Sequence, residues 1–179
     1  SRIILARELS LEEIERICKN VNVEVETFVH GALCMAYSGQ CLTSSFWGGR
    51  SANRGECAQA CRLPYTLTDL GKTDALNSSE KQYLLSPGDF NLIHEMEKLV
   101  KAGVKTFKIE GRLKSPEYVA TTTRAYRKAL DHVLYEKENV SLADEKAMAQ
   151  VFSRGYIPFY IDGNHNHKRT VEGEFPKSR

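Results

Sequence analysis

Short apolar runs alternate with charged stretches along the chain, and their spacing predicts a succession of strands and helices. Ile3-Ile4-Leu5-Ala6 reads as a strand, and Ser10 offers a helix N-cap with Glu12 and Glu13 in the first turn behind it. Ile14, Ile17 and Cys18 follow at helical spacing as far as Asn20, and residues 21–29 then alternate with period two, as a strand does. Residues 30–62 carry Gly, Ser, Asn, Arg and Cys without any sustained period. Residues 62–68 predict a further short strand, 72–81 a polar excursion, and Tyr83 to Asp89 a strand ending in a turn. Leu92, Ile93, Met96, Leu99 and Val100 share one helical face that Gly103 closes. A strand over 104–111 leads to Ser115-Pro116, which starts a helix reaching about His132, and residues 141–152 predict one more. Residues from Tyr156 to Arg179 show no regular period.

Strands separated by helices imply an α/β fold of parallel βα units, of which this chain supplies three or four. A full eight-unit barrel needs roughly 250 residues. The 179 residues therefore read as the later part of a TIM-like barrel, a fragment of a longer chain whose N-terminal half lies elsewhere. Residues 1–135 would form the partial βα barrel with a cysteine-bearing loop at 30–62. Residues 136–179 would add a helix and an irregular extension leading toward a further domain. Composition adds little to this: the formal charge is +2, too small to indicate nucleic-acid binding by itself, so any basic surface is local. No apolar run reaches the roughly 20 residues that a membrane span needs, and the first residues show no signal-peptide pattern, so a cytoplasmic protein is expected.

A long irregular stretch is unusual unless something other than apolar packing orders it. Four of the five cysteines fall inside it, as Cys34-x6-Cys41-x15-Cys57-x3-Cys61. An odd count without any sign of secretion favours a metal site plus a spare thiol over a disulfide framework. The spare one, Cys18, sits between helical apolar positions as a small buried thiol would. Spacing alone leaves zinc and an iron-sulfur cluster equally open, because structural zinc sites prefer tighter pairs, whereas clusters need only four converging thiolates.

The residues around these cysteines carry more information. The run from Glu26 through His30-Gly31-Ala32-Leu33-Cys34 to Cys41-Leu42 resembles the signature of peptidase family U32, the collagenase-like proteases. Gly48-Gly49-Arg50-Ser51-Ala52-Asn53-Arg54-Gly55-Glu56-Cys57 to Cys61-Arg62 is similar to that family's second cysteine segment, and Phe107-Lys108-Ile109-Glu110-Gly111-Arg112 to Val119 to its final barrel strand and helix. The resemblance implies a barrel-like fold and a single 4Fe-4S cluster on Cys34, Cys41, Cys57 and Cys61. It also implies oxygen-independent hydroxylation, in some relatives of a base in transfer or ribosomal RNA with prephenate as oxygen donor. The wording between the cysteine pairs looks most like the ribosomal RNA branch.

Under that reading His30 would polarise a substrate oxygen or donate a proton, and Glu110, less so Glu26, would transfer protons if burial raised their pKa values. Arg112 joins them after the last strand, where βα barrels build their active sites. Arg50, Arg54, Arg62 and Lys108 would hold RNA phosphates or the carboxylates of prephenate. Phe46 and Trp47 would either stack on a base or pack as core or lid. Proteolysis is the alternative, through a Cys34–His30 pair or a bound metal. However, His94-Glu95-Met96-Glu97-Lys98 has Lys98 where the zinc-protease helix needs its second histidine. A purely structural cluster in an RNA-binding module is the third possibility.

Overall fold

The computed structural model describes residues 1–66, 83–158 and 160–163. In chain order the elements are β1 (Arg2–Ile4), α1 (Leu11–Asn20), β2 (Glu24–Ala32), α2 (Thr43–Gly48), β3 (Asp89–Asn91), α3 (Met96–Lys101), β4 (Thr106–Ile109), α4 (Pro116–Tyr135), α5 (Leu142–Val151) and β5 (Tyr156–Ile157). They belong to two compact units: one joins Ser1–Leu33 to the described residues from Asp89 onward, and the other holds Cys34–Gly88.

The first unit is an α/β layer structure, as the alternation of periods predicts. β2 is its centre. β1 and β4 pair with it in parallel, with Ile3 opposite Val25 and Thr27 opposite Phe107. β3 pairs with the end of β2 in the antiparallel sense, with His30 opposite Asn91, and β5 lies parallel to β3. The expectation of parallel units alone is therefore corrected at one ladder, and among the described residues the sheet is not closed.

Local chemistry sets the helix ends. Ser10 and Glu13 form a reciprocal capping box at α1, and Ser141 with Asp144 repeats it at α5. Backbone N–H donation from Ser141 and the adjacent hydroxyl and Lys128 hold the Asp144 carboxyl down at about 2. Ser115 caps α4 with Pro116 in the first turn, as its sequence predicts. The buried face of α4 is Tyr118, Thr122, Ala125, Tyr126 and Ala129. The predicted helix over 92–100 begins instead with a 3-10 turn, Ile93–Glu95, because the Asn91 side chain accepts the Ile93 N–H at 3.0 Å and tightens the entry. Gly103, at φ +100°, ends this helical stretch as expected. The core gathers Leu5, Ile14, Val25, Val29, Leu92, Met96, Leu99, Val104 and Met148.

Two strand expectations fail. Residues 84–85 turn where a strand was expected, and the strand starts at Asp89, where the turn was expected. Asp89 is drawn into the sheet by its N–H bond to the Gly155 carbonyl at 2.7 Å and by its ion pair with Arg154. The strand expected from Arg62 begins inside a 3-10 turn, Ala60–Arg62; residues 67–68 of that expectation, and the polar excursion over 72–81, lie outside the described residues. Among its described residues the second unit otherwise has only α2, closed by Gly49 at φ +68°, and a 3-10 turn over Ala52–Arg54 in an irregular chain, as read. No helix among the described residues is long and apolar enough to cross a membrane.

Candidate functional site

Among the described residues of the cysteine unit, hydrogen bonds from side chains tie the backbone together. The Asn53 amide grips the backbone of Cys41 from both sides: its oxygen accepts the Cys41 N–H and its nitrogen donates to the Cys41 carbonyl, each at 3.1 Å. Ser44, buried in the first turn of α2, accepts the N–H of Ala58 next to Cys57 at 3.0 Å. The Cys57 sulfur accepts the Gln59 N–H at 3.3 Å. Arg62 is buried and donates to Ser86 at 2.8 Å and to the Pro87 carbonyl at 2.6 Å, so its guanidinium braces the segment after Cys61.

All four cysteines are half-buried free thiols. Burial pushes the Cys61 thiol up; Arg62 opposes this, while Cys34, Cys57 and Cys41 each add to the rise, so the other three sulfurs lie within electrostatic reach of Cys61. The donor set suits an iron-sulfur group in kind, although no three His, Cys, Asp or Glu side chains among the described residues close into a metal-ligating group. Arg50 and Arg54 are exposed on the same unit. Phe46 is 87% exposed and Trp47 58%, the latter tilted against Tyr65 with ring centres 6.1 Å apart. These two rings do not pack as core among the described residues.

In the sheet unit, His30 ends the buried face of β2 and is 1% exposed. Its Nδ1 meets the Tyr126 hydroxyl at 3.2 Å, and the rings of Tyr118, Tyr126 and Tyr156 surround it. Burial lowers its pKa to about 4, against the opposing pull of Asp89 and a hydrogen bond to the Asn91 side chain. The imidazole is therefore neutral at physiological pH, and it has no imidazolium proton to give. Burial raises the Tyr118 and Tyr126 phenols and takes Tyr156 up to about 12.

Gly31 follows at φ +111°, and a Cβ there would stand 2.5 Å from the Glu110 carbonyl oxygen, so the ends of β2 and β4 touch only because this residue is glycine. The Glu110 N–H donates to the His30 carbonyl at 2.8 Å. Its carboxylate accepts the Arg112 backbone N–H at 2.8 Å, and the Arg112 residue is exposed. Glu26 is buried and paired with Arg2 at 3.2 Å, with the Lys108 ammonium 3.9 Å away over the Phe28 ring. The structure thus brings His30, Gly31 and Glu110 together and engages Lys108 with Glu26. Sequence reasoning missed Asp89, Arg154, Tyr118, Tyr126 and Tyr156; only the spacing of the two tyrosines on the inner face of α4 was a signal.

The family model for peptidase family U32 matches residues 1–171. The chain belongs to this family. Among the relatives of this U32 chain is the tRNA hydroxylation protein P1 of Bacillus subtilis, 36% identical across 98% of this chain and 43% of that protein. The 23S rRNA 5-hydroxycytidine synthase of Escherichia coli is 41% identical across 90% of this chain and 26% of its own length. A protein of Porphyromonas gingivalis named collagenase is 42% identical across 90% of this chain and 42% of its own. The chain therefore spans less than half the length of each. No solved structure matches it.

Proposed function

We propose that this chain is the cysteine-bearing part of an iron-sulfur enzyme that hydroxylates a base of ribosomal or transfer RNA without molecular oxygen, with prephenate as the oxygen donor. One observation carries the reading: four half-buried thiols, three of them within electrostatic reach of Cys61, share a unit with exposed arginines and aromatic rings, in a chain that has relatives named for RNA hydroxylation. Cys34, Cys41, Cys57 and Cys61 would hold a 4Fe-4S cluster, which supplies electron-transfer chemistry when bound. Arg50 and Arg54 pair with phosphate or carboxylate oxygens, and Phe46 and Trp47 stack on an unpaired base. Arg62 supports that surface from beneath. On the sheet unit, Lys108 and Arg112 add positive charge beside Glu110, whose carboxylate is the proton acceptor, and His30 acts as a neutral imidazole. The parallel ladders of β1, β2 and β4 and the greater length of the relatives support a sheet that is the later part of a TIM-like barrel, completed by an N-terminal half. An RNA substrate is consistent with a cytoplasmic protein.

The test compares nucleosides from total RNA of cells with and without the gene by mass spectrometry. Loss of one hydroxylated nucleoside on deletion, restored by the wild-type gene and not by Cys57→Ala, is the expected result. Unchanged nucleosides together with accumulating peptides would establish the peptidase reading instead, which the collagenase-named relative favours.

A further inference from the structure

The Tyr126 hydroxyl is the meeting point of four polar groups from two segments of the sheet unit, residues 29–30 and 91–92. It receives the Leu92 N–H at 3.1 Å and lies 2.7 Å from the Val29 carbonyl, 2.9 Å from the Asn91 side-chain oxygen and 3.2 Å from His30 Nδ1. The Asn91 oxygen is identified as the acceptor end of its amide by the Ile93 N–H that points to it at 3.0 Å. A phenol has one hydrogen and two lone pairs. Two of its neighbours, the Val29 carbonyl and the Asn91 oxygen, can only accept, and one, the Leu92 N–H, can only donate.

His30 is the remaining neighbour, and it is the one whose hydrogen can be placed on either ring nitrogen. If Nδ1 carried a lone pair, it would need the phenol hydrogen. The Val29 oxygen would then face a hydroxyl oxygen at 2.7 Å with no hydrogen between them, inside a buried cluster where such repulsion is not screened. If Nδ1 carries the hydrogen, it donates to the phenol oxygen, and the single phenol hydrogen stays available to the two oxygens that can only accept, Val29 and Asn91, both of which the other tautomer would leave without it.

We propose that Tyr126 is a positioning residue that fixes His30 as the Nδ1–H tautomer and leaves its Nε2 as a bare lone pair, able to accept a hydrogen and unable to donate one. This assignment fixes the direction of any proton movement at His30: Nε2 takes a proton and does not give one. The use of Nε2 in catalysis rests on the RNA-hydroxylation reading, but the tautomer does not, so the two fail separately.

The test is nitrogen NMR of the intact protein labelled with 15N-histidine, in which the five histidines are few enough to assign by a His30→Gln variant. The expected result is a His30 signal with a protonated Nδ1 and an unprotonated Nε2 at neutral pH, and loss of that single state in Tyr126→Phe, with Nε2–H appearing. A wild-type His30 protonated at Nε2 overturns the proposal, and so does a Tyr126→Phe protein whose His30 tautomer is unchanged. The wild-type reading needs no variant, so a poorly folding Tyr126→Phe leaves the proposal open to refutation. Nucleoside analysis of cells carrying Tyr126→Phe then reports separately on function.

Discussion

Arg154 and Asp89, 65 residues apart in sequence, form a buried ion pair with both side chains 3% exposed. The guanidinium donates from Nε and Nη2 to Oδ1 at 3.0 Å each, while the Arg154 backbone N–H donates to Oδ2 at 2.9 Å. Both oxygens of the carboxylate are therefore served. Asp89 is also the first residue of β3, so the pair holds β3 against the segment that enters β5.

Removing either partner leaves a buried charge unmatched. Asp89→Asn or Arg154→Met is expected to cost about 3–5 kcal/mol, read as a lowered urea midpoint. For a chain of this size each kcal/mol lowers the melting temperature by roughly 2–4 °C. An Asp89→Asn protein with an unchanged midpoint would show the pair to be dispensable.

Acid should destabilise the sheet unit through His30. Unfolded, the imidazole titrates near 6.5; folded, it titrates at about 4. Between those values the unfolded state binds more protons, so the stability from the buried neutral ring is complete above about pH 6.5 and is lost as pH falls toward 4. The loss amounts to roughly 3 kcal/mol. Urea midpoints measured across this range should fall less steeply in His30→Gln than in the wild type.

Gly31→Ala sets a side chain against the Glu110 carbonyl at a positive φ. A cost of about 2–4 kcal/mol is expected from strain and overlap together. The clash is with backbone, which cannot swing aside as a flexible side chain would. Gly55→Ala, also at positive φ but with nothing within 4 Å of its Cβ, isolates the strain component and should cost less. Equal losses in the two proteins would rule out the overlap.

Metal retention should depend on Asn53 as well as on the cysteines. Cys57→Ala is expected to abolish bound iron and its broad visible absorbance in anaerobically purified protein, whereas Asn53→Ala, which frees the Cys41 backbone, should lower iron content and hasten its loss to a chelator. Zinc in place of iron would favour the other donor chemistry that the cysteine spacing allows.

Trp47 is the single tryptophan of the chain, so its fluorescence reports on its own surface. Titration with single-stranded RNA should quench it, and Phe46→Ala should weaken binding by about 1–3 kcal/mol. Arg50→Ala and Arg54→Ala should each reduce the salt dependence of binding by about one unit of slope. An Arg62→Ala slope equal to the wild type is expected, because that guanidinium is buried on Ser86 and Pro87.

What could be read from the sequence was local. Ser10, Ser115 and Ser141 cap the helices that their flanking residues predict, because capping is settled within three or four positions. Gly103 ends its helix for the same reason. The start of β3 was misplaced because the forces that settle it, Gly155 and Arg154, lie more than sixty residues away. His30 was legible as a candidate, but its environment was not: Tyr126 reaches it across 96 residues, and nothing in the spacing of β2 announces that contact. In the cysteine unit, the four thiols stood out by clustering, whereas the use of Arg62 as a brace depends on Ser86 and Pro87, which carry no motif.

Ala32 and Asp89 are paired across the antiparallel β2–β3 ladder. The chain therefore leaves the sheet after one of them and returns at the other, on the same rung, where facing Cα atoms in such a ladder lie only about 5 Å apart. In topology the intervening chain is the connection of a hairpin. Its length enters sheet stability only through the slowly growing entropy of closing a loop. The cysteine segment is thus a cassette that can be cut out and replaced by a short turn while β2 and β3 keep their register. A protein so shortened should retain its sheet and Cys18 and lose Cys34, Cys41, Cys57 and Cys61 together.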